Sequence, residues 1–267
     1  MKSFEMKYLN IDLHIHSNIS FDSLNNIEKI IEIAQRRNLD IIAITDHNSI
    51  DNALRAKELV YKRRLNVEVI VGEEISTDKG EVIGLFLENH VKPGKLQYVI
   101  ENIKLQGGIV YLPHPFKRSK VLQNNMIGID LIEVWNSRAS YEQNYKALLY
   151  AVQHNILMGC GSDSHFLSEI GRCRMILAIP SALDLNLTAD SFLSLLNSSY
   201  ELEIIGTNKN YVIFECLSQV IKSIKTKKFS PYKYLLKFIP YEILFSKNNP
   251  DKMIISLEKL RTSGIFG

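Results

Sequence analysis

Tyr8-Leu9-Asn10-Ile11-Asp12-Leu13-His14-Ile15-His16 begins as an apolar run and ends in two histidines. Leu9 to Leu13 has the aliphatic content of a buried strand, and in an extended chain residues two apart point the same way. His14 and His16 can therefore present both imidazoles to one side of that strand's C-terminal end. The pattern recurs along the chain. Further strands are expected at Asp40 to Thr45, Val67 to Val71, Val82 to Leu87, Gly108 to Leu112, Ile129 to Val134, Ile156 to Cys160 and Met175 to Ile179. Between them lie helical stripes at i, i+3, i+4 and i+7: Ile27, Ile30, Ile31 and Ala34; Leu96, Val99, Ile100 and Ile103; Tyr145, Leu148, Leu149 and Val152. Another helix is expected to open near Asn48 to Asp51, whose short polar side chains can cap it, and one more over Thr188 to Leu196. Strands of this kind, buried on both faces and alternating with helices, imply a parallel sheet that seven or eight members can close into a barrel. Val67 to Leu87 reads instead as a hairpin turning at Asp78-Lys79-Gly80, so the barrel is expected to be irregular.

The chain's 267 residues, 46% of them hydrophobic and 23% charged, suffice for one large packed core. Its 13 Gly, 7 Pro and 3 Cys exclude a collagen-like or disulfide-stapled protein. The three thiols suggest a reducing compartment, and with no membrane-length apolar run and no greasy leader the expected location is cytoplasmic. The net charge of +3 is unevenly spread: residues 217–267 hold ten Lys or Arg against three Asp or Glu. Two regions are therefore expected, a barrel over residues 1–206 and a small basic extension over 207–267, packing on or beside it.

Polar groups able to bind metal follow strand after strand: Thr45-Asp46-His47, Gly72-Glu73-Glu74, Pro113-His114-Pro115 and Gly161-Ser162-Asp163-Ser164-His165. Singly each has an ordinary reading, as a helix cap, a solvated strand end or a turn. Together with His14 and His16 they account for five of the seven histidines. Burying so many ionisable groups at one barrel mouth is costly unless they are paired or coordinated. His90 and His154, in a loop and on a helix, read as structural, and Cys160 as core.

In this order the motifs resemble the PHP family, named for polymerase and histidinol phosphatase, over roughly residues 9–180. The family's opening appears as His14-Ile15-His16-Ser17-Asn18-Ile19-Ser20-Phe21-Asp22-Ser23, with Ser23 where glycine is usual. The resemblance implies a distorted (β/α)7 barrel with two to three divalent ions that hydrolyses phosphate esters. It implies His14, His16, Glu74 and Asp163 around one ion, Glu74 bridging to a second held by His114, and Asp22, His47 and His165 around a third. Some members add a histidine to the second ion after the strand that here ends Glu133-Val134-Trp135-Asn136; this chain has none there. Asp46 is expected to act beside the ligands, fixing an imidazole or capping a helix.

Imidazole and carboxylate without an arranged thiolate favour manganese, iron or zinc over magnesium or calcium. The expected nucleophile is a metal-bridging hydroxide, consistent with the absence of a G-x-S-x-G elbow or a GxxxxGK[ST] loop. Phosphate recognition is expected first from Arg138, placed as in the N-x-R that often follows this strand in the family, with Lys117 and Arg118 as alternatives to plain surface residues. Arg172 and Arg174 read either as a shared face or as surface. Lys222 to Lys247 mixes lysines with aromatics, suited to an acidic partner or to a helix packed on the barrel with its lysines in solvent. The expected substrate is a phosphorylated small molecule, a nucleotide or a short nucleic-acid end, as in the nucleoside 3′,5′-bisphosphate phosphatases and 5′-to-3′ exonucleases it resembles. The alternatives are a histidinol-phosphate-type phosphatase or a noncatalytic nucleic-acid-binding scaffold with a vestigial metal site.

Overall fold

A computed structural model describes residues 5–117, 119–123, 128–181, 186–198, 202–207, 211–227 and 253–256. Arg118 and most of the Lys222 to Lys247 segment lie outside the described residues. The order is β1 (Met6–Ile15), α1 (Ile27–Arg36), β2 (Ile41–Ile44), α2 (Asp51–Arg63), β3 (Glu68–Thr77), β4 (Gly80–Leu85), α3 (Leu96–Leu105), β5 (Ile109–Leu112), β6 (Leu131–Asn136), α4 (Tyr141–Gln153), β7 (Leu157–Gly161), β8 (Cys173–Pro180), α5 (Ala189–Ser198), β9 (Leu202–Gly206), α6 (Tyr211–Thr226) and β10 (Met253–Ser256).

The strands lie in the order β10-β9-β8-β1-β2-β3-β4-β5-β6-β7. β1, β2 and β3 are parallel, as are β5, β6 and β7, while β4 runs antiparallel between the two sets. The expected hairpin is present, with Thr77 opposite Gly80. The sheet curls until β7 meets β1: the Ser162 amide donates to Asp12 Oδ1 at 2.9 Å, and Ile15 bridges to Ser164 in parallel. Gly161 makes that approach possible, since a Cβ there would lie 2.2 Å from the Cβ of His14. The result is a nearly closed, barrel-shaped sheet of seven strands, as expected. The strand expected at Met175 to Ile179 spans Cys173–Pro180 and runs antiparallel along the outer edge of β1, continuing the sheet with β9 and β10 outside the barrel.

Local chemistry explains most of the elements. Asn26 caps α1 by accepting from the Glu28 and Lys29 amides, and Ile27, Ile30, Ile31 and Ala34 are buried beneath it. Burying each such isoleucine is worth about 1.5–3 kcal/mol. Ser140 and Gln143 form a reciprocal capping box at the start of α4. α2 starts at Asp51, within the expected stretch. Its N-cap residue, Ile50, has no polar side chain, but Ser49 Oγ accepts from the Asp51 amide at 3.2 Å, while Asn48, at φ 51°, exchanges hydrogen bonds with Ser76 and ties the end of β2 to β3. Among the described residues no helix is long and apolar enough to cross a membrane.

Candidate metal centre

β1 delivers both of its histidines to the barrel mouth. His14 and His16 are fully buried, and their Nε2 atoms stand 3.0 Å apart. Glu74 Oε2 lies 3.4 Å from His16 Nε2 and 3.7 Å from His14 Nε2. Asp163 Oδ1 lies at the same two distances. Four donor atoms held about one ion at 2.0–2.2 Å would be separated by about 3.4 Å, so this set already has the dimensions of a coordination shell.

The other expected ligands surround that set. The second oxygen of Glu74, Oε1, is 3.1 Å from His114 Nε2, so one carboxylate faces two groups of imidazoles. Asp22 lies 3.1 Å from His165 Nε2 and 3.6 Å from His47 Nε2. His16, His47 and His165 form one candidate metal-holding group, and His14, Glu74 and His114 another. All eight sequence-predicted ligands thus meet at one cleft mouth. Glu73 points the other way, accepting from His90 Nδ1 and the Val91 amide.

Several of these side chains have only one nitrogen left to offer. The Glu133 carboxylate can only accept, so His14 Nδ1 donates to it at 3.1 Å. Ser20 Oγ gives its proton to Asp46 and accepts from His16 Nδ1 at 3.1 Å. His165 Nδ1 donates to the Asp163 carbonyl at 2.8 Å. In the neutral ring each Nε2 then carries a lone pair facing the cluster. His114 Nδ1 is buried without a hydrogen bond, while Asp22 Oδ1 and His47 Nδ1, also without a well-aligned one, lie 3.1 Å from His165 Nε2 and 3.0 Å from Glu74 Oε2. His114 at φ 28° and Asp163 at φ 50° adopt backbone that side-chain-bearing residues rarely take, a strain of order 1–3 kcal/mol each that commonly marks functional positions. Residues two apart in an extended strand would share a face, but the turn at Asp163 separates it from His165; one faces His14 and His16, the other Asp22.

The electrostatics are those of a cation site. Burial disfavours the charge on His14, but the carboxylates of Asp163, Glu133 and Glu74 outweigh it and hold the imidazole well above its ordinary range. Against the same opposing burial, His14 and His165 hold Asp163 well below the usual carboxylate range, and His47 and His14 do the same for Glu74. His16 is pushed down to about 3, first by burial and then by the neighbouring His165 and His47.

Three carboxylates at this site were not picked out from the sequence. Glu81, on β4, places Oε1 3.7 Å from His47 Nδ1 and Oε2 3.9 Å from His114 Nε2, and Glu74 followed by burial pushes its carboxyl upward. With His47 and Glu74 it forms a further candidate metal-holding group. Glu133 orients His14. Glu169 accepts from the His165 and Phe166 amides and from Arg138. Glu81 sits one residue past a turn glycine in a hairpin strand, so strand alternation was the only available signal.

The cleft above the cluster encloses about 330 Å³. Arg138 lines it but is itself only 2% exposed: Nε and Nη2 bind Glu169 at 2.9 and 3.0 Å, and Nη2 also reaches the Phe214 carbonyl and Ser218 Oγ. Lys117 lines it too, 3.2 Å from Glu215. α6 supplies one wall through Glu215, Gln219 and Lys222. Asp46 lies behind the ligands, accepting from the Ser17 amide and from both the Ser17 and Ser20 hydroxyls. Arg172 packs over the Phe214 ring and Arg174 bonds Asn10; neither lines the cleft.

Comparison with known proteins agrees with this geometry. The chain is 35% identical over 175 residues to the uncharacterised protein MJ0417 of Methanocaldococcus jannaschii, an alignment covering 61% of this chain and 68% of that one. It is 34% identical over 83 residues to the phosphoribosyl 1,2-cyclic phosphate 1,2-diphosphodiesterase of Eggerthella lenta, covering 29% of this chain and 30% of that enzyme. Among solved structures, PsfC from Pseudomonas syringae superposes with a TM-score of 0.59 at 16% identity, covering 81% of this chain and 98% of that one. A two-domain Bacteroides vulgatus protein, described as containing a "predicted PHP-like metal-dependent phosphoesterase", gives a TM-score of 0.54 at 18% identity over 76% of each chain. These likenesses show the fold. The PHP domain signature matches residues 12–239, so the chain belongs to the PHP domain family and is a metal-dependent phosphoesterase of that family.

Proposed function

We propose that this cleft binds two to three divalent ions, of manganese, zinc or iron, and hydrolyses the phosphate ester of a nucleotide, a short nucleic-acid end or a related phosphorylated small molecule. The observation that carries the reading is the buried quartet of His14 Nε2, His16 Nε2, Glu74 Oε2 and Asp163 Oδ1, every atom within 3.7 Å of both donors of the opposite kind. In this assignment Glu74 bridges to a second position shared with His114 and Glu81, and Asp22, His47 and His165 hold a third. Bound divalent cations would supply Lewis acidity and lower the pKa of a coordinated water toward neutrality.

The chain's own residues do the remaining work. Glu133, Ser20 and the Asp163 carbonyl hold protons on Nδ1 of His14, His16 and His165, keeping their Nε2 atoms as ligands. Asp46 fixes Ser17 and Ser20 and so acts on the reaction through His16 and the His47 backbone, whose amide donates to Ser20 Oγ. Lys117, Arg138 and Lys222 place positive charge along the cleft wall, where a phosphate and a second anionic group can both be met. For Arg138 the nitrogen left to meet a phosphate is Nη1, which Glu215 Oε2 already faces at 3.8 Å, since its Nε and Nη2 edge is engaged by Glu169. In this reading the catalytic unit is residues 1–206, and of the segment 207–267 the described helix α6 lines the cleft. The partial likeness to the Eggerthella lenta diesterase supports a phosphorylated ribose as the smallest substrate of this kind. The histidinol-phosphate alternative gains nothing here, because His90 and His154 both lie away from the cluster, one on Glu73 and the other against Tyr150.

The test is direct. Metal analysis of the purified chain should find two to three ions. With Mn²⁺ the protein should release phosphate from at least one member of a panel of phosphomonoesters, nucleoside bisphosphates and short 5′-phosphorylated RNAs, and a chelator should abolish the release. A chain that binds no divalent ion, or whose turnover survives chelation, overturns the proposal.

A further inference from the structure

The loop between β1 and α1 carries Asp22, and it is fastened on two sides. On the barrel side, Ser23 Oγ lies 3.1 Å from both the His16 and His165 carbonyls, Asn25 Nδ2 donates to the His16 carbonyl at 3.0 Å, and the Leu24 amide donates to that of His165. On the outer side, three backbone carbonyls of the loop, those of Asn18, Ser20 and Ser23, converge on one atom. That atom is Lys225 Nζ, in the last turn of α6, at 2.9, 2.9 and 2.6 Å. An ammonium has three donors, and here one loop uses all of them. One turn earlier on the same helix, Lys222 Nζ lies 4.2 Å from the centre of the Phe21 ring. Phe21 in turn stacks on His47, with ring centroids 4.5 Å apart and planes 4° from parallel. α6 therefore holds the loop immediately before and after Asp22, the residue whose carboxylate reaches His47 and His165.

We infer that Lys225 is a positioning residue: by capping the three carbonyls of the 18–23 turn it fixes Asp22, so that docking of α6 and cation binding at Asp22, His47 and His165 form one coupled equilibrium. This rests on the metal reading of the site and deepens it. Of the first quartet only His16 meets the 18–23 turn, its Nδ1 donating to Ser20 Oγ, whereas Asp22 lies within that turn, so the coupling falls chiefly on the third position. Coupling between two binding events is reciprocal. A docked α6 raises the affinity of that position, and a cation there holds α6 down.

The experiment uses the full chain and Mn²⁺. Stepwise binding is followed by calorimetry for wild type, Lys225→Met and Lys225→Arg, and amide hydrogen exchange over residues 211–227 is followed with and without the metal. Loss of a partner that orients a ligand lowers metal affinity by about 10- to 100-fold. Lys225→Met should therefore weaken one binding step at least tenfold and leave the tightest within about twofold, and Lys225→Arg should recover part of the loss. In wild type, Mn²⁺ should slow exchange across α6, and in the Met variant it should not. Three unchanged steps, three equally weakened steps, or α6 amides indifferent to Mn²⁺ in wild type each overturn the coupling; the last measurement needs no variant to fold. A wild-type chain that binds no divalent ion defeats the metal reading itself and the coupling with it, an outcome distinct from binding that ignores Lys225.

Discussion

Replacing Glu133 by glutamine changes one oxygen to an amino group and tests how the first cation position is assembled. In the native chain Glu133 Oε1 accepts from His14 Nδ1 at 3.1 Å, while Oε2 accepts from the His114 amide at 2.7 Å and Asn136 Nδ2 at 2.9 Å, all fully enclosed. The new amide has two placements. If its NH2 takes the Oε2 side, two donors are left facing a donor, at about 1–3 kcal/mol for each unsatisfied group. If it takes the Oε1 side, only His14 is affected, and the imidazole relieves the clash by giving up the proton on Nδ1 and keeping the one on Nε2. The second placement costs less and removes the lone pair that faces the cluster. Glu133→Gln should therefore fold, with a stability loss of about 1–2 kcal/mol, but lose about 10- to 100-fold in affinity for the first Mn²⁺. That is roughly 1.4–2.7 kcal/mol at 1.36 kcal/mol per decade. Competition against a chelator measures the affinity, and nitrogen-15 shifts of the His14 ring report the tautomer. Wild-type affinity for the first ion, or a His14 ring that keeps Nδ1 protonated in the variant, would refute this account of Glu133.

Three other perturbations separate structural from binding roles. Arg138→Ala strips a fully buried carboxylate, Glu169, of its bidentate partner, so it should cost about 3–5 kcal/mol by urea unfolding; a loss below about 1 kcal/mol would mean that Arg138 is not bracing the His165 turn. Lys222→Ala should raise KM for a nucleotide substrate about tenfold with a much smaller change in kcat, and an unchanged KM removes Lys222 from the substrate wall. The pH dependence follows from the shifted groups. His14 is held above its ordinary 6.5, so its contribution to the metal-free fold is complete below that value and is lost as the pH rises through the folded one. Asp163 and Asp22 are held below 3.8, so theirs is present above that value and lost as the pH falls through their folded ones. A cation must displace the proton on His14, so Mn²⁺ binding at pH 7 should release protons and tighten as the pH rises. Calorimetry in two buffers of different ionisation enthalpy measures the release, and none at pH 7 would contradict the assignment.

The barrel was legible from local pattern, and the eight candidate ligands from strand-end motifs together with the resemblance to the PHP family, which alone singled out Asp22. A strand such as Leu9 to Leu13 announces itself by aliphatic content, and the residues just beyond its end inherit a fixed direction. The rest depended on contacts between segments distant in sequence. Glu133 reads as one position of a buried strand, and only the 119-residue separation closed by the fold makes it a partner of His14. Glu169 follows the last motif in a turn without periodicity, and its bond to Arg138 gives that arginine a bracing role that no local signal announced. β8 was visible as a strand but not its direction, since an apolar run reads alike parallel or antiparallel. α6 has clear helical spacing in Tyr211 to Thr226, yet its lysines would ordinarily be assigned to solvent. Two of them instead face the 18–23 turn, where three carbonyls and an aromatic ring offer partners that composition does not reveal.

Closure of the barrel and assembly of the site are the same physical event. Gly161 lets β7 approach β1 so closely that any side chain would strike His14, and Asp12, buried on β1, receives the amides of Ser162 and Gly171. Burial pushes the Asp12 carboxyl up to about 6, so the seam is held by amides donating to a group that is costly to desolvate. That cost is tolerable only once β7 has docked and all the donors are in place. The same seam sets Asp163 opposite His14 and His16. A chain opened at β1 and β7 would therefore keep its helices and most strand pairs while losing the first cation position. Affinity for the first ion is thus a measure of barrel closure as much as of ligand identity.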